Sequence, residues 1–362
     1  MAVTRRPATE ADEDLARRLH HLAYREVVER QFGPWDEQAQ DGFFAKAWSG
    51  KAHELVLWNG EPCGFAAIEF GAERVDVHEL VVEPASQGRG IGSAVLQETT
   101  IRAAALGAPV HLQVLRENRA VELYRRFGFV QHDETDTHLL LRLEPSTAGA
   151  KAGLVAALGV LNRAALDKLA DLDEYDLRRP LTPTGTNLLG VVKHLASVQA
   201  GYFGDVFDRP WPEPMPWLGP EAAINEDLYA TPAETSESIR DFYRQSWAHA
   251  TETFVTTDLD ATGTVAWWPP ERRHPTLQAI LVHMTVETAR HTGHLDLARE
   301  LIDGQAGRFP GDPSLPGSDE IDWVAYWNTV DTAARAASGV DPVRSTSSPR
   351  RRSGRPDAGP KG

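Results

Sequence analysis

A single cysteine, Cys63, occurs among 362 residues. That excludes an intrachain disulfide and any zinc site built from several thiolates. No apolar run approaches the roughly 18 to 20 residues that cross a bilayer, so no membrane segment is expected. A basic excess is also missing. The 37 Lys and Arg face 52 Asp and Glu, for a formal net charge of −15. This is the wrong sign for a general nucleic-acid binder, although a local basic patch stays open. The first residues lack a secretory pattern, since charge arrives at once with Arg5, Arg6, Glu10 and Asp12. With the lone thiol, this sets the expectation of a reducing, cytoplasmic location. What is present is a globular composition, 41% hydrophobic and 25% charged, at a length that allows two domains with a core each.

The first 145 residues alternate helix and strand patterns. Thr9-Glu-Ala-Asp12 reads as a capping box with Asp in place of Glu, opening a helix through Leu15, Leu19, Leu22 and Val27. Strands are expected at 54–58 and 63–70, joined by an Asn59-Gly60 hairpin turn. Further strands are expected at 74–82, 110–115 and 138–143, with helices at 92–106 and 118–127. The mixture specifies an α/β or α+β layer domain. Glu144 to Gly153 is small and flexible in composition, which places a boundary there. Beyond it, 3.6-residue periodicity appears at 152–172, 186–204, 233–257 and 275–303, the pattern of an all-α four-helix bundle. Pro210 to Pro220 is too rich in proline for a helix and is expected to fold over one end. A short helix near 322–337 closes the second domain, 152–337, and 338–362 has the composition of a disordered tail.

Two places carry chemistry. In Gln87-Gly-Arg-Gly-Ile-Gly92, glycines follow a strand and open a helix. Such a turn bares backbone amides at the positive end of a helix dipole, a cradle for phosphates. A tight turn without a ligand has the same composition. No Gly-Lys-Ser/Thr follows, so it is not a P-loop. The second place is Glu287-Thr-Ala-Arg-His291. Four residues are just over one helical turn, so carboxylate and imidazole share a face. Both fall near an apolar stripe that includes Ile280, Met284 and Leu295. His194, on another helical segment, is a candidate third ligand. One Glu and two His leave positions open for water or substrate, as in catalytic metal sites. The alternative is a set of hydrogen-bonded helix residues. His283 and His294 flank the set, His283 as a candidate outer partner, and Arg290 and Asp296 are a candidate surface pair.

The first turn, followed by Asn118-Arg-Ala-Val-Glu-Leu-Tyr-Arg-Arg-Phe-Gly-Phe129, resembles the two signature motifs of the GNAT acyltransferase superfamily. The resemblance covers about 3–143. It implies a mixed sheet with flanking helices, acetyl-CoA or another acyl-CoA as donor, and transfer of the acyl group to an amine. Val82, Gln87, Gly88, Arg89, Gly90, Ile91, Gly92, Ser93 and Asn118 would hold the cofactor. Tyr124 matches the tyrosine that protonates the departing thiolate. Chemistry adds a base, because an ammonium is no nucleophile. Glu79, inside the strand before the turn, is the candidate, and it reads equally as a surface strand carboxylate. Glu83 is expected to be solvated.

Val-Lys-His194 and Glu287-x-x-x-His291-x-Gly-His resemble the DinB-like metal-dependent four-helix-bundle superfamily, in a branch related to mycothiol-dependent enzymes. This covers about 152–305. It implies a divalent metal on His194, Glu287 and His291, with zinc as first choice and mycothiol as an option. Glu287 stands where the wider superfamily carries a third histidine, which leaves the metal's identity open. The leading expectation is therefore an N-acyltransferase acting on a small-molecule or peptide amine and fused to a metal-binding bundle. A metal-dependent thiol transferase or hydrolase with an accessory first domain is an alternative. So is a non-catalytic scaffold or homodimer using Trp211, Trp217, Trp267 and Trp268.

Overall fold

The computed structural model describes residues 3–144, 149–308, 312, 315 and 321–338. The chain divides into two compact units. One is Met1–Leu161 with Gln199–Pro212 and Ser246–Val286; the other is Asn162–Val198 with Glu213–Gln245 and Glu287–Gly362.

The first unit contains a seven-stranded sheet: β1 (Val3–Pro7), β2 (Glu54–Trp58), β3 (Glu61–Phe70), β4 (Val75–Val82), β5 (Val110–Leu115), β6 (Val130–Glu134) and β7 (His138–Leu143), in the order β1-β2-β3-β4-β5-β7-β6. Only β4 and β5 pair in parallel. The Asn59-Gly60 turn is as expected: both residues have positive φ, 52° and 90°, and Trp58 faces Glu61 directly. Helices α1 (Glu13–Phe32) and α2 (Glu37–Trp48) cover one face, and α3 (Ile91–Leu106) and α4 (Ala120–Arg126) lie on the other. Alternation along the strands builds both layers. Leu55 and Phe65 pack with Ala16, Leu19 and Phe44, while their neighbours Val56 and Ala66 pack with Ile91 and Val95. Each such large side chain, once buried, stabilises the fold by about 1.5–3 kcal/mol. The Asp12 carboxylate accepts from the Thr9 N–H at 2.8 Å, so the expected reciprocal cap forms. It opens a short 3-10 turn, Glu10–Asp12, which leads into α1.

Three elements were not legible in the pattern: α2, β1 and β6. Strands β1 and β6 are the two sheet edges. All five residues of β6 are exposed, and β1 ends in a proline. Edge strands have one pairing side open and tolerate charge and proline, so they show no apolar alternation.

Four long helices follow: α5 (Ala150–Asp167), then, past the short α6 (Glu174–Arg178), α7 (Leu188–Phe203), α8 (Ser236–Thr256) and α9 (Leu277–Asp303). Helix α5 begins two residues before the expected start at 152. In the second unit, Ala165, Val192, Leu195, Ile239, Tyr243, Leu295 and Ala298 join all four in one core, as a four-helix bundle requires. In the first unit, the Arg102 guanidinium on α3 forks onto Glu252 of α8, at 2.7 and 3.1 Å. The Trp247 indole donates to the Ala105 carbonyl at 3.1 Å. Helix α10 (Trp323–Ser338) extends one residue past the expected 337. Residue 338 is therefore helical, and the rest of the expected tail lies outside the described residues.

Candidate active site and metal centre

Strands β4 and β5 begin side by side but part early. Their pairing ends at Val77↔Leu112, although β4 runs on to Val82 and β5 to Leu115. The cause lies on the other side of β4. Ala67 faces Glu79 and Ile68 faces Val77, so His78 is an extra residue without a partner in β3. Such a bulge bends its strand and increases its twist. The gap opens into a cavity of about 510 Å³, walled by the parted strand ends, the glycine turn and α4. At the turn, Gly88 and Gly90 have φ of 74° and 82°, and a Cβ on either would meet nothing within 4 Å. The backbone shape needs glycine there, and the space above it is open. Gly90 is the N-cap of α3, whose first amides have no partner within the helix.

Of the residues expected at the cofactor, Val82, Gln87, Gly88, Gly90, Ile91, Gly92, Ser93 and Asn118 all line this cavity. Arg89 is exposed and does not. The Gln87 carboxamide spans the turn, donating to the Val82 carbonyl at 2.9 Å. Asn118 accepts from the Ala120 N–H at 2.8 Å and so fixes the start of α4. Glu83 is not simply solvated, since its carboxylate accepts from the Ser86 hydroxyl at 2.8 Å.

Tyr124 is buried in the cavity wall, whereas Glu79 is half-buried and is not among the lining residues. A residue missed in the sequence connects Glu79 to the cavity. Tyr24 of α1 lines the space and donates its phenol to Glu79 Oε2 at 3.1 Å. Burial raises the Glu79 carboxyl above the ordinary carboxylate range, against the opposing pull of the Tyr24 hydrogen bond and of Lys51. Burial, reinforced by the Glu79 charge, pushes the Tyr124 phenol up to about 12. A carboxylate with increased proton affinity beside phenols that stay protonated is a base–acid arrangement.

The second constellation lies wholly in the second unit. His194, Glu287 and His291 each offer a ligand atom, all within 4.8 Å of one another. His291 Nε2 is 3.1 Å from Glu287 Oε1, and His194 Nε2 is 3.6 Å from the same oxygen. The other nitrogen of His194 is already committed, with Nδ1 2.6 Å from Asp227 Oδ2. Burial raises the Glu287 carboxyl, but the two imidazoles outweigh it and the net shift is downward. Two imidazoles and one carboxylate, half-buried and converging, form a borderline donor set that fits zinc or a similar divalent ion. Asp227 was missed in the sequence because it lies 33 residues from His194, in a loop with no periodicity. His294 touches His291 edge-on at 5.4 Å. His283 instead packs with Tyr202 and Trp268. Asp296 does not pair with Arg290 as expected but with the buried Lys168, at 2.9 Å. His21, Glu37 and Asp41 also cluster, but Arg25 and Arg17 already pair with those two acids. Each of the four tryptophans has a ring partner, Trp217 with Phe242, Trp211 with His249, and Trp267 and Trp268 with Tyr202, although Trp267 stays 56% exposed.

Two segments of the chain match family models. Residues 50–131 match the family model described as Acetyltransferase (GNAT) domain, and 153–304 match that of Mycothiol-S-transferase. The chain pairs a GNAT domain with a mycothiol-S-transferase-type domain. An uncharacterized N-acetyltransferase of Methanocaldococcus jannaschii is 33% identical over 103 residues, 26% of this chain. The chain spans 41% of that relative's length. Among solved structures, the PaiA N-acetyltransferase of Thermoplasma acidophilum in complex with coenzyme A is 15% identical, with a TM-score of 0.35 over 40% of this chain and 99% of its own. The ribosomal-protein-S18-alanine N-acetyltransferase of Escherichia coli is 20% identical, with a TM-score of 0.31 over 41% of this chain and 96% of its own. No helix among the described residues is long and apolar enough to cross a membrane.

Proposed function

We propose that the GNAT domain transfers an acyl group, acetyl in the simplest case, from an acyl-CoA thioester to an amine. The supporting observation is the gap between β4 and β5, which ends on the glycine turn at the N-terminus of α3. Pyrophosphate lies on the amides of Gln87 to Ser93, and the pantetheine arm takes the place of the missing strand pairing beside Val82. At the inner end, Glu79 takes a proton from the incoming ammonium, through Tyr24 or a water. The free amine attacks the thioester carbonyl, a C–N bond forms and the C–S bond breaks. Tyr124 returns a proton to the leaving thiolate. The net charge of −15 favours cationic acceptors, small amines or peptide N-termini. A cytoplasmic setting supplies acyl-CoA and suits the one buried thiol, Cys63. Calorimetric titration with acetyl-CoA tests this reading. Saturable binding that Gly90→Val weakens agrees with it; no heat at millimolar cofactor ends it.

The convergence of His194, Glu287 and His291 favours a second activity in the same chain. These three residues would hold a divalent ion, with zinc the first choice. The ion would lower the pKa of a bound thiol or water and so supply a nucleophile. The Mycothiol-S-transferase match makes a low-molecular-weight thiol such as mycothiol the natural co-substrate. Elemental analysis of the purified chain tests this: one equivalent of metal, lost in His291→Ala, agrees, whereas metal in neither protein refutes it.

A further inference from the structure

We infer that Asp227 is the positioning residue of the His194/Glu287/His291 centre, and that Asn187, just before α7, with Gly190 and Lys193 on its first turns, forms a clamp that delivers the Asp227 carboxylate to His194. The inference rests on reading the triad as a divalent-metal site.

Asp227 sits in a three-residue turn, Glu226–Leu228, none of whose side chains is buried. With Leu228 only half-buried, the turn has no fully buried side chain to anchor it, and hydrogen bonds from α7 and the residue just before it hold its backbone. The Lys193 ammonium, only 1% exposed, donates to the Glu226 carbonyl at 3.0 Å and the Tyr229 carbonyl at 3.1 Å. The Asn187 carboxamide donates to the Leu228 carbonyl between them, at 3.1 Å. Glu234, 2.9 Å from the ammonium, balances its charge, and the Trp217 ring lies 4.5 Å from it. Gly190 allows the approach, since a Cβ there would stand 1.8 Å from the Leu228 carbonyl oxygen. A lysine buried at this cost, with carbonyls and a carboxylate as partners, is a device for holding a loop.

What the loop presents is the Asp227 carboxylate, 2.6 Å from His194 Nδ1. The carboxylate keeps the proton on Nδ1. The lone pair is thereby left on Nε2, the nitrogen nearer Glu287. A carboxylate behind a ligating imidazole fixes its tautomer and ring orientation and raises its basicity. Lys193 and His194 are adjacent in sequence, so one turn of α7 sets both the ligand and the loop that orients it.

The test uses the full chain, stripped of metal and titrated with zinc against a chromophoric chelator. Asp227→Ala is expected to weaken zinc binding by about 10- to 100-fold. Asp227→Asn, nearly isosteric and still an acceptor, should weaken it less. Gly190→Ala removes none of the named side chains, yet by displacing the Leu228 carbonyl it should weaken zinc as Asp227→Ala does, and the double variant should be no worse than either single one. In a His194→Ala background, Asp227→Ala should add nothing, because it acts through that ring. Full affinity in Asp227→Ala and Asp227→Asn, or an undiminished further loss in the His194→Ala background, overturns the inference. A parent chain that takes up no zinc overturns the metal reading and this inference with it. Metal-free melting curves identify any variant that fails to fold, and Asp227→Asn then decides.

Discussion

The two sites are built from different materials. The cavity of the GNAT domain is made mostly of backbone: a bulge at His78, two strands that stop pairing after Val77↔Leu112, and a turn held open by Gly88 and Gly90. The proposed metal centre is made of side chains: three candidate ligands on two helices and an aspartate brought in by a loop. A backbone site depends on what a residue permits, and a side-chain site on what it presents. Substitutions should therefore be felt differently. In the cavity wall many side chains are replaceable, but a glycine is not; in the triad each functional group is needed.

The sharpest break of this contrast is deletion of a ligand. His291→Ala or Glu287→Ala should leave the purified chain with less than one equivalent of metal, read by elemental analysis. Retention of a full equivalent would show that the triad is not the site. Next comes the turn. Gly90→Val forces a β-branched residue to φ 82°, costing about 1–2 kcal/mol. It also places methyl groups in the open space where the phosphates are proposed to lie. The dissociation constant for acetyl-CoA should rise by about tenfold or more, the equivalent of roughly 1.4 kcal/mol, whereas Arg89→Ala, outside the wall, should leave it nearly unchanged.

The third test concerns Glu79. Its carboxyl is raised in the fold, so ionisation there opposes folding. This component of stability is whole below the unfolded-state pKa and is lost as pH rises through the folded value. Glu79→Gln should therefore melt higher than the parent above neutral pH and alike near pH 4, while losing activity. The Tyr24 hydrogen bond lowers the Glu79 carboxyl, so Tyr24→Phe should move the acid limb of the kcat/KM profile to higher pH. An unmoved limb would remove Tyr24 from the proton path. The smallest expected effect is at the contacts between α3 and α8. The Arg102–Glu252 pair is about a third exposed, 29% and 43% for the two side chains. Arg102→Ala should thus cost only about 0–1 kcal/mol in denaturant unfolding.

Most elements were legible where periodicity is strong. The four long helices lie within a few residues of their expected bounds, as do β2, β4, β5 and β7, because each buries one side against a core. The edges β1 and β6 were not, since they bury little. Within the sites, local spacing was readable: Glu287 and His291 one turn apart, and glycines between a strand and a helix. The partners that complete them were not. Tyr24 reaches Glu79 across 55 positions, and Asp227 reaches His194 across 33.

Residue order alone sets the kinds of chemistry available: one thiol, an acidic balance, a turn that bares amides and an i, i+4 carboxylate–imidazole pair. These follow from residue type and from separations shorter than a helical turn or a hairpin. Long-range contacts settled the rest: where β4 parts from β5, that Arg89 is not in the cavity lining, and that a buried lysine bonds the loop from which Asp227 reaches His194. Such facts depend on contacts between residues tens of positions apart, and no local spacing encodes those contacts.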